Sequence, residues 1–284
     1  MDDSSPLPSG EPPGVAVFDL DDTLVRGECG EWFLRWLMRR QPWRLALLLP
    51  ALPVIASLRA LPSTRTRKAA LSGLCWFATV GRDDEELDRL ARAFAAGHAG
   101  PGSANPMRAG LARLREHLAR GDRVVIASGS GLRIVRAVCV ELGLHDVEIV
   151  ATRERRMLGG LVVDERCLGG GKVLMLRAAG TATPFGYAYS DSASDLPLLL
   201  AARRRFAISP SASHLRRILA GTDGDCTVLP WRTEPSGPAS HPAAAPTPTS
   251  CPASCPASGP AAAPTPAAGP AAQPPSSRSP SDLR

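Results

Sequence analysis

Apolar positions along this chain follow two spacings. Short apolar runs at residues 15–18, 124–127 and 186–189 each stop at small or acidic polar residues, and predict buried strands. Helical spacing fills 107–120, closed by Gly121, and then 132–142, 171–179, 196–202 and 214–220. Asn105-Pro106 predicts an N-cap with proline just inside it. Shorter β pieces are expected at 147–150, 161–163, 206–208 and 227–229. Strands that alternate with helices predict an α/β fold with a Rossmann-like, mostly parallel sheet. Residues 26–104 are helical in pattern and too many for a loop. They predict a helical cap inserted after the first strand, leaving 14–25 and 105–232 as the core domain.

Composition changes this picture at the ends. Hydrophobic residues are 44% of the 284, enough for a sizeable core. Residues 233–284 are nearly all Pro, Ala, Ser, Thr and Gly, and cannot bury enough to offset their ordering entropy. A disordered tail is expected there, and a disordered N-terminus over 1–13. That acidic, Pro-rich start lacks a basic residue followed by an apolar run, so no secretory signal is expected. Cys29, Cys75, Cys139, Cys167 and Cys226 form no close pair, which excludes zinc-ligand and redox spacings among them. Cys251 and Cys255 belong to a repeated CPAS unit in the tail. Reduced thiols and a cytoplasmic setting fit. The net charge of +6 comes with far more Arg than Lys; no nucleic acid and no protein partner is inferred from it.

Candidate chemistry sits where the strands end. Asp19-Leu20-Asp21-Asp22-Thr23 follows the first strand directly. Open α/β sheets bind ligands at the carboxyl ends of their strands, and two carboxylates two residues apart can converge if the chain turns. Alone, the same residues make an ordinary polar turn. The second run ends in Ser128-Gly129 and the third in Ser190-Asp191, with Asp195 four residues on; Lys172 opens a helix behind Gly169, Gly170 and Gly171. A serine hydroxyl with backbone N–H groups suits phosphate oxygens, and lysine offers them a compact charge. Several carboxylates in one place repel unless a hard cation sits among them. Each residue has a plain reading: Ser128 or Asp195 as a cap, Lys172 as surface charge. Together, in this order, they resist that reading.

FDLDDTL, VVIASGS, Lys172 and SDSASD resemble the four motifs of the haloacid dehalogenase superfamily of phosphatases, over about residues 15–230. Asp22 stands where many members have glycine; Asp tolerates left-handed backbone better than most residues. The resemblance implies a phosphomonoester hydrolase with Asp19 as covalent nucleophile and Asp21 as general acid and base. It implies Mg²⁺ held by Asp19, Asp191 and the backbone carbonyl of Asp21. Ser128, Gly129 and Lys172 would bind phosphate, Asp195 would orient Lys172 or a metal-bound water, and Thr23 would fix the turn. Arg26, Glu28 and Arg166 could reach substrate or simply be solvated. The segment FLRWLMRRQPWRLALLLPALPVIA, with LSGLCWF, RCLGGGK and YSDSASDLPLL, is similar to the bacterial phosphatidylglycerophosphatase C group. That similarity implies a phospholipid substrate, phosphatidylglycerophosphate.

Residues 45–58 of the cap are uncharged, with Arg35, Arg39, Arg40 and Arg44 before them and Arg59, Arg65, Arg67 and Lys68 after. Fourteen residues interrupted by Pro50 and Pro53 are short for a spanning helix. A buried hairpin of the cap is one reading. Basic flanks and nearby Trp32, Trp36 and Trp43 favour another, an interfacial or re-entrant segment on an anionic membrane surface, the cytoplasmic face of the bacterial inner membrane. Two other functions remain: a soluble small-metabolite phosphatase of the phosphoserine phosphatase type, and an inactive membrane adaptor.

Overall fold

A computed structural model describes residues 12–41, 43–44, 48–60 and 63–232. The expected disordered tail, nearly all of the expected disordered N-terminus, and residues 45–47 of the apolar segment lie outside them.

The first strand, β1 (Val15–Phe18), is apolar on both faces because both faces of the sheet are covered. Ala16 and Phe18 join one buried cluster with Tyr187 and Tyr189. Val17 joins the other with Val125, Ala127 and Ala188. The remaining strands are β2 (Arg123–Gly131), β3 (Glu148–Met157), β4 (Gly160–Glu165), β5 (Phe185–Ser190), β6 (Ala202–Ile208) and β7 (Thr227–Leu229). Their order across the sheet is β4-β3-β2-β1-β5-β6-β7, parallel except for the β3–β4 hairpin. So β1 lies between β2 and β5, at the point where the chain reverses its direction of travel across the sheet. Phe18 is level with Ile126 on one side and Tyr189 on the other, which brings three strand ends to one line.

Helices follow the strands: α5 (Arg108–Ala119), α6 (Leu132–Glu141), α7 (Gly170–Ala178), α8 (Leu196–Leu200) and α9 (Ala212–Gly221). Before them, after β1, come α1 (Cys29–Arg39), a 3-10 turn at Leu49–Ala51, α2 (Leu52–Ala60), α3 (Thr64–Thr79) and α4 (Asp84–Ala99). The inserted helices pack on the far edge of the sheet. Trp76 Nε1 on α3 donates to the carbonyls of Met157 at 3.1 Å and Leu158 at 3.2 Å in the β3–β4 turn. Asp83 caps α4 by accepting from Glu86 N at 2.7 Å, ahead of an acidic first turn that suits the helix dipole.

Three local expectations are corrected. Asn105 caps no helix: α5 starts at Arg108, and the Asn105 amide turns instead to buried His98, donating to its carbonyl at 3.0 Å. The β3–β4 pair is one long hairpin rather than two short pieces, because β3 runs on through Arg153, Glu154, Arg155 and Arg156, a charged stretch that shows no apolar run. Strand β6 begins at Ala202, since Arg203–Arg205 belong to a charged strand and not to the preceding helix.

Candidate active site

Three strand ends and one helix start build the site. Directly after β1, the Asp19 N–H donates to the Tyr189 carbonyl of β5 at 2.9 Å, so the strand pairing itself aims this residue. The chain then turns at Asp22, whose φ of 56° is the left-handed conformation that Asp tolerates. Asp22 Oδ1 secures the turn by accepting from Gly27 N at 3.0 Å and pairing with Arg232.

Lys172 enters from the start of α7. Gly169 holds a φ of 56°, and a methyl group at Gly171 would meet the Arg166 carbonyl at 2.6 Å, so the glycines let this helix begin against the sheet. The Lys172 ammonium is 1% exposed; it donates to Asp19 Oδ1 at 2.7 Å and to Asp195 Oδ2 at 2.5 Å. Ser190 donates to the same Asp195 oxygen at 2.9 Å. Asp195 thus holds Lys172 in place. Its other oxygen, Oδ1, is buried with no hydrogen-bond partner among the described residues.

Asp21 is held differently. Its Oδ1 accepts from Cys29 N at 2.7 Å, at the first turn of α1. Its Oδ2 accepts from Ser128 Oγ at 2.9 Å and Ser130 Oγ at 2.7 Å. Ser130 in turn accepts from Gly30 N at 2.9 Å, and its own N–H donates to Ser128 Oγ at 3.0 Å. The Ser128 hydroxyl, expected free for phosphate, is therefore engaged by Asp21 and Ser130. Gly129 sits beside it, its carbonyl accepting from Thr152 Oγ1 at 2.8 Å. Thr23 is buried, but Oγ1 has no partner among the described residues, so its hydroxyl does not fix the turn by a hydrogen bond. Sequence reasoning missed Ser130, Ser190 and the α1 N-terminus as supports. Ser130 and Ser190 adjoin motif residues and were legible as candidates; the role of α1 depends on tertiary placement alone.

The electrostatics follow from crowding. Burial pushes the Asp19 carboxyl well above the usual range; Lys172 opposes this, while Asp195, Asp21 and Asp191 add to it. Asp191 is pushed up to about 7, mainly by burial and then by Asp22 and Asp195. Among the described residues no three His, Cys, Asp or Glu side chains converge as a ready metal cage. A divalent cation nevertheless fits the donors. They are all oxygens, two carboxylates and a backbone carbonyl, and a bound cation would relieve the repulsion that raises Asp191. Asp19, Asp191 and the Asp21 carbonyl would hold Mg²⁺ here.

A cavity of about 590 Å³ opens from the Ser130 side of this site and runs between the inserted helices and the sheet edge. Gly129 and Ser130 line one end. Phe33, Leu34, Met38, Leu48, Leu52 and Leu74 make the rest largely apolar. Glu28 and Arg166 also line it; Arg26 does not.

Residues 16–200 match the family described as haloacid dehalogenase-like hydrolase. The chain belongs to that family. By that family it is a hydrolase, and Asp19, Asp21, Ser128 and buried Lys172 stand together at the sheet's switch point. The fold is shared with solved structures of low identity. A protein of unknown function from Bordetella pertussis Tohama I is 22% identical, with 78% of this chain and 100% of that one covered at a TM-score of 0.60. A substrate-bound phosphoserine phosphatase is 17% identical, with 76% and 93% covered at 0.50. A cytosolic 5'-nucleotidase IIIB bound to cytidine is 10% identical, with 75% and 79% covered at 0.52.

Proposed function

We propose that this hydrolase is a phosphatase working through an aspartyl-phosphate on Asp19 and that its substrate is a lipid phosphomonoester, phosphatidylglycerophosphate being the reading the cap favours. Asp19 attacks phosphorus in line, dividing one hard displacement into two easier ones. Asp21 gives a proton to the leaving alkoxide and takes one from the attacking water in the second step. Its carboxylate stays aimed because Ser130, Ser128 and the Cys29 N–H hold both oxygens. Lys172 and the Gly129 N–H receive phosphate oxygens, with Ser128 sharing its hydroxyl between phosphate and Asp21. Bound Mg²⁺ would supply charge neutralisation between anionic nucleophile and anionic substrate.

The observation that carries the lipid reading is the cavity. It joins the site at Ser130 to Leu48 and Leu52 of the cap, it is mainly apolar, and its 590 Å³ is in the usual range for organic ligands. Near its cap end Trp43, Leu49, Leu52 and Val54 are exposed, as an interfacial patch would be. Two other expected contributors are not part of that patch. Arg44 is buried and donates to the carbonyls of Phe77 at 3.0 Å and Val80 at 2.6 Å. Trp36 packs on Phe94 with ring centroids 5.8 Å apart, inside the cap. No described helix is long and apolar enough to cross a membrane. We place the enzyme on the cytoplasmic face of an anionic membrane, in contact through the patch.

The test is phosphate release with Mg²⁺ and with EDTA, on phosphatidylglycerophosphate, phosphatidate, phosphoserine and an aryl phosphate. Lipid turnover well above phosphoserine turnover, lost on chelation, is expected. Phosphoserine as the preferred substrate would establish the second reading, a soluble small-metabolite phosphatase, which the likeness to a phosphoserine phosphatase structure favours.

A further inference from the structure

Three carboxyls line the cavity, Glu28, Glu31 and Glu154, and only Glu154 stands on the sheet. Glu154 lies on β3, two residues after Thr152, so the two share a strand face, and both line the cavity beside Gly129 and Ser130. The Cys75 thiol reaches Glu154 Oε1 only at 3.9 Å, a weak contact. Burial pushes the Glu154 carboxyl above its usual range; the Arg133 guanidinium pulls the other way without reversing it. Arg133 turns its two terminal nitrogens to α4, pairing with Asp84 at 2.6 Å and with Asp88, while its Nε has no partner among the described residues.

The backbone makes room for this carboxyl. Gly131 caps the N-terminus of α6 immediately after Ser130, and a methyl group there would run into Glu154 Oε1. Only glycine lets the carboxyl sit over the residue next to the Asp21 support. A half-buried, weakly bonded acceptor facing a mainly apolar space is costly unless a donor arrives with the ligand.

We propose that Glu154 is a specificity-determining residue that accepts a hydrogen bond from a hydroxyl on the leaving alcohol, selecting polyol phosphates over plain alkyl phosphates. The proposal rests on the phosphatase reading and deepens it. Glu154 belongs to the sheet edge and not to the cap helices, and a hydroxyl near the phosphoester would meet it as the phosphate reaches the strand ends. A site built to bond a substrate hydroxyl rejects the analogue that lacks it, because the acceptor is then left unpaired.

The experiment measures competitive inhibition of aryl phosphate hydrolysis by glycerol 3-phosphate and by propyl phosphate, which has the same chain without hydroxyls. Wild type should prefer glycerol 3-phosphate by about tenfold or more. In Glu154→Leu the ratio should fall to about one. Glu154→Gln, whose amide oxygen still accepts, should keep an intermediate ratio. Gly131→Ala, which displaces the carboxyl without removing it, should lower the ratio too. It gives a second route to the answer if Glu154→Leu does not fold, as a melting curve would reveal. Equal inhibition in wild type, or a preference that survives both Glu154→Leu and Gly131→Ala, overturns the assignment. Preference for phosphoethanolamine over both, lost in Glu154→Leu, overturns the hydroxyl in favour of an ammonium. No aryl phosphate turnover by wild type at all is a different failure, that of the phosphatase reading, and removes the assignment with it.

Discussion

The two regions that the cavity lies between are built by opposite rules. At the strand ends, Asp19, Asp21, Lys172 and Asp195 are buried, and short hydrogen bonds from other elements fix them. At the cap end, Trp43, Leu49, Leu52 and Val54 are apolar and between 41% and 63% exposed. A buried charge needs fixed partners, because dehydration costs several kcal/mol per ion. An exposed apolar side chain makes no such demand, and what covers it is decided outside the chain. The first end should therefore respond to single-atom changes, the second only to changes in surface character.

The sharpest break of that comparison is Asp19→Asn. The amide is a poor nucleophile, and it also removes the anion that faces Lys172 at 2.7 Å. Turnover should fall by roughly 10⁴-fold or more on every substrate, with circular dichroism unchanged. Appreciable residual turnover by a preparation free of wild type would refute the covalent route.

Next comes the opposite end. Replacing Trp43, Leu49 and Val54 together with Gln removes exposed apolar surface without opening a core. At about 1 kcal/mol for each partly buried side chain, lipid turnover and liposome binding should drop roughly 100-fold. Aryl phosphate turnover and the melting temperature should hold. A common collapse of lipid turnover, aryl turnover and melting would make the segment cap core and end the membrane reading.

Ser130→Ala tests how finely the buried end is set. It deletes one charge-assisted bond to Asp21 and leaves Gly30 N without its acceptor. Loss of about 1.5–3 kcal/mol of such bonding lowers kcat by about 10-fold to 100-fold. Because Asp21 is the acid and base, the pH profile of kcat should shift as well. Unchanged kcat and profile would show that Ser128 and the Cys29 N–H suffice.

The buried end was far more legible than the cap. Asp19, Asp21 and Asp191 follow a strand, Ser128 lies in the last part of one and Lys172 opens a helix, and the parallel register that brings them level follows from the alternation of strands and helices. Asp195 was legible for the same reason. Ser128 shows the limit: its position was readable, but not that Asp21 would take its hydroxyl, which depends on a turn at Asp22. In the cap, Trp32 and Trp36 looked interfacial beside arginines, yet Trp32 stacks edge-on with His98 at 5.2 Å and Trp36 lies against Phe94. Helical spacing marks a face as apolar; it does not say whether protein or lipid covers it. Asn105 failed for a related reason, since a distant partner, His98, outcompeted the local cap.

His98 also provides the smallest effect, and it sits at the joint between the two ends. It is fully buried on α4, with Nε2 3.5 Å from Cys29 Sγ and Nδ1 3.1 Å from the Asn105 amide. Trp32 and Phe94 close the ring faces. Burial lowers its pKa to about 4, and the Asp21 charge opposes that only in part. The imidazole is neutral in the folded protein and takes up a proton near 6.5 when unfolded. Between those values the unfolded state binds more protons, so stability is complete above about 6.5 and declines as pH falls toward 4. At pH 5.5 the loss is about 1–2 kcal/mol, or a fall of roughly 3–6 °C in Tm for a fold of this size. His98→Asn cannot titrate and should lose that part of the slope between pH 7 and 5. Its Tm at pH 7 should be lower than wild type, because the bond network around Cys29 is cut. Melting curves of both proteins across this range decide the matter: parallel slopes would mean that His98 takes up its proton in the fold as readily as in the unfolded chain, and that the joint between cap and acid-base residue is wetter than its burial indicates.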